Sequence, residues 1–264
     1  MAKYELEGKN ALVTGGSKGI GFGIAKALLY EAANVMILSR DKKKLDSAFK
    51  KLSSNSPGKV IIFEGDVGNK KIAEQVLEEI EEKFGSCDIL VNNSGGPPMG
   101  GLFDHKVDSW EDAFSQNLMS VINFTKVFSL PMKERNWGRI INITSSLAKE
   151  PTPQMVLSAT MRSGVSAFSK AVSTELAPFG ITVNTVCPGG VLTDRLNELV
   201  KSAAKNQNKD YDTLLSENVK TIPIGRFATP EEFADIIVFL TSERAKYLTG
   251  LSLMADGGLT KSTF

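Results

Sequence analysis

The chain has 264 residues, with 31 basic and 30 acidic side chains giving a formal net charge of +1, and 42% of it is hydrophobic. Interspersed charges in that balance exclude the basic footprint of a nucleic-acid binder and a membrane-binding surface, and no apolar run approaches the length that spans a bilayer. The length fits one α/β domain with material for a large core, and Met1-Ala2-Lys3-Tyr4-Glu5 holds no apolar signal core, so the expectation is a soluble cytoplasmic protein acting on a small molecule.

Asn10-Ala11-Leu12-Val13-Thr14 reads as a short apolar strand, Gly15-Gly16-Ser17-Lys18-Gly19-Ile20-Gly21 as a turn, and Phe22 to Ala33 as an amphipathic helix. Together they make a phosphate cradle, because glycines let backbone N–H groups approach a pyrophosphate and the positive end of the helix dipole favours its charge. The next strand, Asn34 to Leu38, ends in Ser39-Arg40-Asp41. In a dinucleotide site an acid there would bond the ribose hydroxyls of NAD, whereas arginine accommodates the 2′-phosphate of NADP, so Ser39 and Arg40 point to NADP. Arg40 with Lys42, Lys43 and Lys44 also reads as a solvated helix start capped by Asp41.

Lys59 to Phe63 forms a third strand, followed by Gly65-Asp66-Val67 and a polar-faced helix from Lys70 to Phe84; Asp66 serves equally well as a cap for it. The strand Cys87 to Val91 leads into Asn92-Asn93-Ser94-Gly95-Gly96 and a Pro- and Gly-rich loop, after which comes His105, the sole histidine. A single long helix is predicted over Val107 to Arg135, with an apolar stripe of Phe114, Leu118, Val121, Ile122, Thr125 and Phe128. The strand from Gly138 to Ile143 ends near Ser145 and Ser146. A helix from about Val156 to Ala177 repeats apolar residues at Met161, Val165, Phe168, Val172 and Leu176, and it sets Ser158 and Arg162 one turn apart on one face. Ile181 to Val186 is a sixth strand, residues 195–222 or so read as a polar lid helical only in patches, and Thr229-Pro230-Glu231-Glu232 opens a capped helix. Cys87 and Cys187 sit at apolar strand edges and read as buried hydrophobes, not as a disulfide. Alternating strands and crossover helices predict a parallel, doubly wound sheet with right-handed connections.

Thr14-Gly15-x-x-x-Gly19-x-Gly21, Asn92-Asn93-Ser94-Gly95, Ser145 and Pro188-Gly189-x-x-x-Thr193 resemble the motifs of the short-chain dehydrogenase/reductase family, and the resemblance covers essentially the whole chain. It implies one Rossmann-type domain over residues 1–264 with seven parallel strands, a homotetramer or homodimer, no metal, and a 3-oxoacyl thioester or another carbonyl or alcohol compound as substrate. It sets the nucleotide pyrophosphate at Gly15, Ser17, Lys18, Gly19, Ile20 and Gly21, with Lys18 beside the 2′-phosphate, and the adenine near Asp66 and Val67. Asn93, Ser94 and Gly95 then flank the ribose and nicotinamide. The backbone at Pro188, Gly189 and Val191 meets the carboxamide, Thr193 reaches the phosphates, Ser145 orients a carbonyl and Asn117 holds a water in the proton relay.

The family carries Tyr-x-x-x-Lys where this chain has Ser158 and Arg162. A serine hydroxyl is a far weaker acid than a phenol of pKa about 10 and cannot simply inherit its role. Arg162 can hold ribose or substrate but cannot release a proton. Three readings follow: an NADP-dependent oxidoreductase whose proton comes from Lys149, His105 or Tyr211, an NADP-binding sensor or partner subunit without turnover, or a scaffold with no cofactor, which the intact glycine loop disfavours. Ser158 and Arg162 also read as a helix-surface residue and a salt-bridge partner of Glu150 or Asp194.

Overall fold

The computed structural model describes residues 4–54 and 56–263; Met1, Ala2 and Lys3 of the opening segment lie outside them. The first half of the chain runs β1 (Asn10–Thr14), α1 (Gly19–Tyr30), β2 (Asn34–Ser39), α2 (Lys42–Ser53), β3 (Val60–Glu64) and α3 (Ile72–Phe84). The second runs β4 (Ile89–Asn92), α4 (Val107–Phe114), α5 (Ser120–Glu134), β5 (Gly138–Ile143), α6 (Val156–Leu176) and β6 (Ile181–Pro188). It continues through α7 (Asp194–Gln207), α8 (Tyr211–Thr221), α9 (Pro230–Thr241) and β7 (Ser252–Ala255).

The strands lie in the order β3-β2-β1-β4-β5-β6-β7, all pairings parallel. From β1 the chain steps outward to β3, then restarts on the other side of β1 at β4. The order therefore reverses between β1 and β4, where an open parallel sheet leaves a crevice beyond its carboxyl ends. β1, β4, β5 and β6 are buried along their whole length, because helices cover both faces of the sheet. Successive side chains go to opposite faces. Val13 and Ile37 join Ile24, Leu28, Phe233 and Ile237 of α1 and α9, while Leu12 and Met36 join Val76, Ile80, Phe124 and Phe128 of α3 and α5. Each such side chain contributes about 1.5–3 kcal/mol by leaving water.

Three expectations change. α1 begins at Gly19, three residues before Phe22, because the helix start belongs to the glycine turn. The helix expected over 107–135 is interrupted by a π-helical turn at Ser115–Met119 that separates α4 from α5. Of its stripe, Val121, Thr125 and Phe128 are buried, whereas Phe114 is 46% exposed. The lid is helical almost throughout: Thr193 caps α7 with its Oγ1 3.3 Å from Leu196 N, and Asp210 caps α8. Val200 and Ala204 of α7 pack on Leu214 of α8 with Leu196, Ala203, Tyr211 and Leu215 around them, a small core that the high Lys and Asn content conceals. Among the described residues no helix is long and apolar enough to cross a membrane, and Cys87 and Cys187 are buried free thiols.

Candidate active site

A cleft of about 380 Å³ opens beyond the carboxyl ends of the central strands. At one end it is floored by Gly15 and by Ser17 through Gly21. No side chain caps α1, so its first backbone N–H groups are left for a ligand. Gly19 has φ +57°, a left-handed conformation that other residues adopt at a cost. At Gly21 a Cβ would collide with Gly15 O and stand 2.7 Å from Asn93 Nδ2, so only glycine lets turn and helix meet. The turn is held from below: Asn93 Nδ2 donates to Thr14 O at 3.1 Å and Thr14 Oγ1 donates to Asn93 O at 2.8 Å. Asn92 in turn donates to Asn142 Oδ1 at 2.8 Å, so part of the asparagine pair's work is tying strands together.

Lys18, Ser39 and Arg40 line the same end of the cleft. Ser17 Oγ donates to Ser39 Oγ at 2.9 Å, and Arg40 Nη1 stands 3.7 Å from Asp66 Oδ2 with most of its side chain exposed. An uncapped helix start beside two cations, with no carboxylate at the β2 terminus, fits a pyrophosphate and an additional phosphate monoester. Val67 lines the cleft, but Asp66 does not: its Oδ1 accepts from Gly68 N at 2.9 Å and from Gln116 Nε2 at 2.7 Å. Asp66 does not cap the helix either, since Lys71 is the N-cap of α3 and has no side-chain cap bond; Asp66 instead closes the turn before it.

The other end gathers Ser145, Ser158, Arg162, Pro188, Gly189 and Val191 around Ser94 and Gly95, while Thr193 stands against Gly19 at the cradle. Ser145 is extended at the end of β5, its Oγ accepting weakly from Leu147 N at 3.3 Å. Ser158 and Arg162 are each 5% exposed, so they are not helix-surface residues. Arg162 donates from Nη1 to Ile143 O at 2.7 Å and from Nη2 to Ser94 O at 3.1 Å. The expected salt bridge to Glu150 or Asp194 is absent among the described residues. Glu150 Oε1 instead accepts from the backbone N–H groups of Lys261 and Ser262 at 2.6 and 2.7 Å, turning away from α6 to fasten the C-terminal segment. Burial holds the Arg162 guanidinium down to about 10, and the nearby Arg195 charge acts in the same direction. At neutral pH it is still a cation.

Asn117 lies in the π-helical turn, 1% exposed and outside the cleft wall; its Nδ2 donates to Ser94 Oγ at 2.8 Å and Gly95 O at 2.7 Å. It thus positions the Ser94–Gly95 backbone, and π-helical turns cluster at such sites. None of Lys149, His105 and Tyr211 lines the cleft. Tyr211 packs into the lid core and donates to Asn197 Oδ1 at 3.0 Å, and the His105 ring lies against Gly100. Lys149 ends the short helical turn after Ser145. The lining also includes Leu147, Met155 and Arg195, which sequence reasoning missed, and Asp194, which it named only as a salt-bridge partner of Arg162. The signal was present for the last two: a capping Thr193 puts them in the first turn of a helix beginning at the site. Of the four lid leucines, Leu196 and Leu199 face the cleft, whereas Leu214 and Leu215 pack the lid on itself.

Residues 15–260 match the family model described as enoyl-(acyl carrier protein) reductase. A 3-oxoacyl-acyl-carrier-protein reductase of Vibrio cholerae is 35% identical over 96% of this chain and 98% of its own. The NADPH-dependent reductase BacG of Bacillus subtilis is 34% identical over the same shares. The L-sorbose reductase of Gluconobacter frateurii, solved with NADPH and L-sorbose, superposes with a TM-score of 0.92 at 31% identity, over 97% of this chain and 98% of that one.

Proposed function

The chain belongs to the short-chain dehydrogenase/reductase family, and from that premise we propose that it is an NADPH-dependent oxidoreductase acting on a carbonyl or its alcohol. The observation that carries this reading is one cleft continuous from a dinucleotide phosphate cradle with Lys18 and Arg40 to a cluster of Ser145, Ser158 and Arg162. The L-sorbose reductase and BacG, both NADPH proteins, support the choice of NADP(H).

The glycine turn from Gly15 to Gly21, with Lys18 and Arg40, would hold NADPH, which would supply the hydride for reduction of the carbonyl carbon, the C=O electron pair passing to oxygen. Ser145 and Ser158 donate hydrogen bonds to that oxygen; no hydrogen bond occupies Ser158 Oγ among the described residues. Arg162, with two of its five N–H groups committed to backbone carbonyls, supplies a fixed positive charge as the oxygen becomes negative. With no phenol in the cleft, the final proton comes from solvent, and the barrier is lowered by preorganised electrostatics. A 3-oxoacyl thioester is the default substrate, supported by the Vibrio relative. The test is NADPH binding by fluorescence, with NADH as control, followed by loss of nicotinamide absorbance on adding a carbonyl panel. Binding with turnover supports the enzyme; binding without turnover on any of the panel sinks it in favour of a silent NADP-binding subunit.

Ser39→Asp places a carboxylate where the 2′-phosphate would lie. NADPH affinity should fall by roughly 10- to 100-fold, the size of a lost charge-assisted contact, with NADH affinity held or raised. Titration of both nucleotides checks it, and unchanged NADPH affinity contradicts the placement. The exposed Phe114 and Leu130 along α4 and α5 support an assembly through those helices. Light scattering should give four chain masses, and a monomer would contradict this.

A further inference from the structure

Four cations and one carboxylate border the cleft: Lys18 and Arg40 at the phosphate end, Arg162 and Arg195 at the other, and Asp194. The nucleotide's phosphates answer the first pair. Among the described residues no buried carboxylate answers the second. Arg162, 5% exposed, bonds only the neutral carbonyls of Ile143 and Ser94. Arg195 Nη2 donates to Pro97 O at 2.7 Å, and its Nη2 lies 3.4 Å from where a side chain on Gly96 would begin. The two guanidiniums thus hold opposite ends of the Ser94–Pro97 turn, close enough for Arg195 to depress the ionisation of Arg162. The one carboxylate paired with either is Glu198, 3.8 Å from Arg195 Nη1 and 59% exposed, where solvent screens it. Like charges in a partly desolvated cleft repel and keep their hydration cost until an anion joins them.

We propose that the substrate is a free oxo acid in place of the default thioester, with its carboxylate near the reacting carbonyl, and that Arg195, backed by Arg162, is the residue that selects it. The proposal rests on the dinucleotide reading of the cleft. An arginine fork binds a carboxylate in bidentate fashion, which fixes the orientation of the adjoining carbonyl as well as its charge. Leu147, Met155, Leu196 and Leu199 line the cleft around these charges and suit a short apolar remainder. The lid helix that brings Arg195 into place then couples closure to the presence of the anion.

The experiment is calorimetric titration of the NADP⁺-loaded protein, which cannot reduce a ketone, with matched probes: pyruvate, acetoacetate and levulinate against their amides. At least one acid should bind about tenfold or more tightly than its amide. Arg195→Gln, which keeps a donor for Pro97 O, should erase that preference with NADP⁺ affinity unchanged, Arg195→Lys should restore part of it, and Arg195→Glu should reverse it. If no acid outbinds its amide, or if the preference survives in Arg195→Gln, the proposal is overturned. Failure of NADP⁺ itself to bind, seen in a prior titration, would remove the dinucleotide reading and this one with it.

Discussion

Arg162→Met lowers turnover of a carbonyl substrate by roughly 100- to 1000-fold, the loss typical of a deleted oxyanion donor, while NADPH affinity changes little. The guanidinium is buried at the end of β5, fixed by two carbonyl bonds and free of any carboxylate, so its charge is undiminished where a substrate oxygen would become negative. In water the same charge would be screened; in the cleft it is not. The change in stability should be smaller than the change in rate. Ile143 O and Ser94 O lose donors, at about 1–3 kcal/mol each, but a desolvated charge is removed at the same time. Arg162→Lys keeps the charge as a point and cannot span both carbonyls, so its rate should fall between the two. Steady-state kinetics beside thermal melts separate the effects. Turnover in Arg162→Met equal to the parent's would show that the charge plays no part in the chemistry.

Gly21→Ala weakens nucleotide binding by roughly 10- to 100-fold. The new methyl would collide with Gly15 O and press on Asn93 Nδ2, so the turn must open away from α1. The cost of forcing that contact, about 1–3 kcal/mol, falls on the bound geometry, since pyrophosphate needs turn and helix start together; a 10- to 100-fold loss of affinity follows. The fold should persist, because Ile24 and Leu28 of α1 remain buried in the cluster that holds Val13 and Ile37 of the sheet and Phe233 and Ile237 of α9. Fluorescence titration of NADPH beside a melting curve measures both. A variant that binds NADPH as the parent does would show that this turn is not the phosphate cradle.

What was legible in the sequence is what backbone chemistry dictates locally. Thr14 to Gly21 gives strand, turn and helix start because glycine spacing limits how such a chain can fold, and the buried apolar strands could only belong to a sheet covered on both faces. Ser39 and Arg40 could be placed from the sequence because they stand at the end of β2, and both line the cleft there. What was not legible depends on directions of side chains across the fold. Lys149, His105 and Tyr211 lie in segments adjacent to the cleft, yet none lines it, since nothing in a loop's composition says which way it turns. The partners of Arg162 are backbone carbonyls, one at the end of β5 and one in the turn after β4, and a carbonyl leaves no mark in a sequence. The lid's helices were obscured by their lysines and asparagines, which cover the outside of an amphipathic pair whose inner residues are few.

Transfer of isotope from NADPH deuterated at its transferable hydride, with product recovered and weighed by mass spectrometry, tests most directly whether Ser145, Ser158 and Arg162 support reduction without a phenol. One deuterium should appear at the carbinol carbon of the product, none should enter that carbon from deuterated water, and Arg162→Met should slow its appearance in step with turnover. NADPH bound at saturation with no deuterium delivered to any of the carbonyl compounds supplied would contradict the assignment and leave a nucleotide-binding protein without this chemistry.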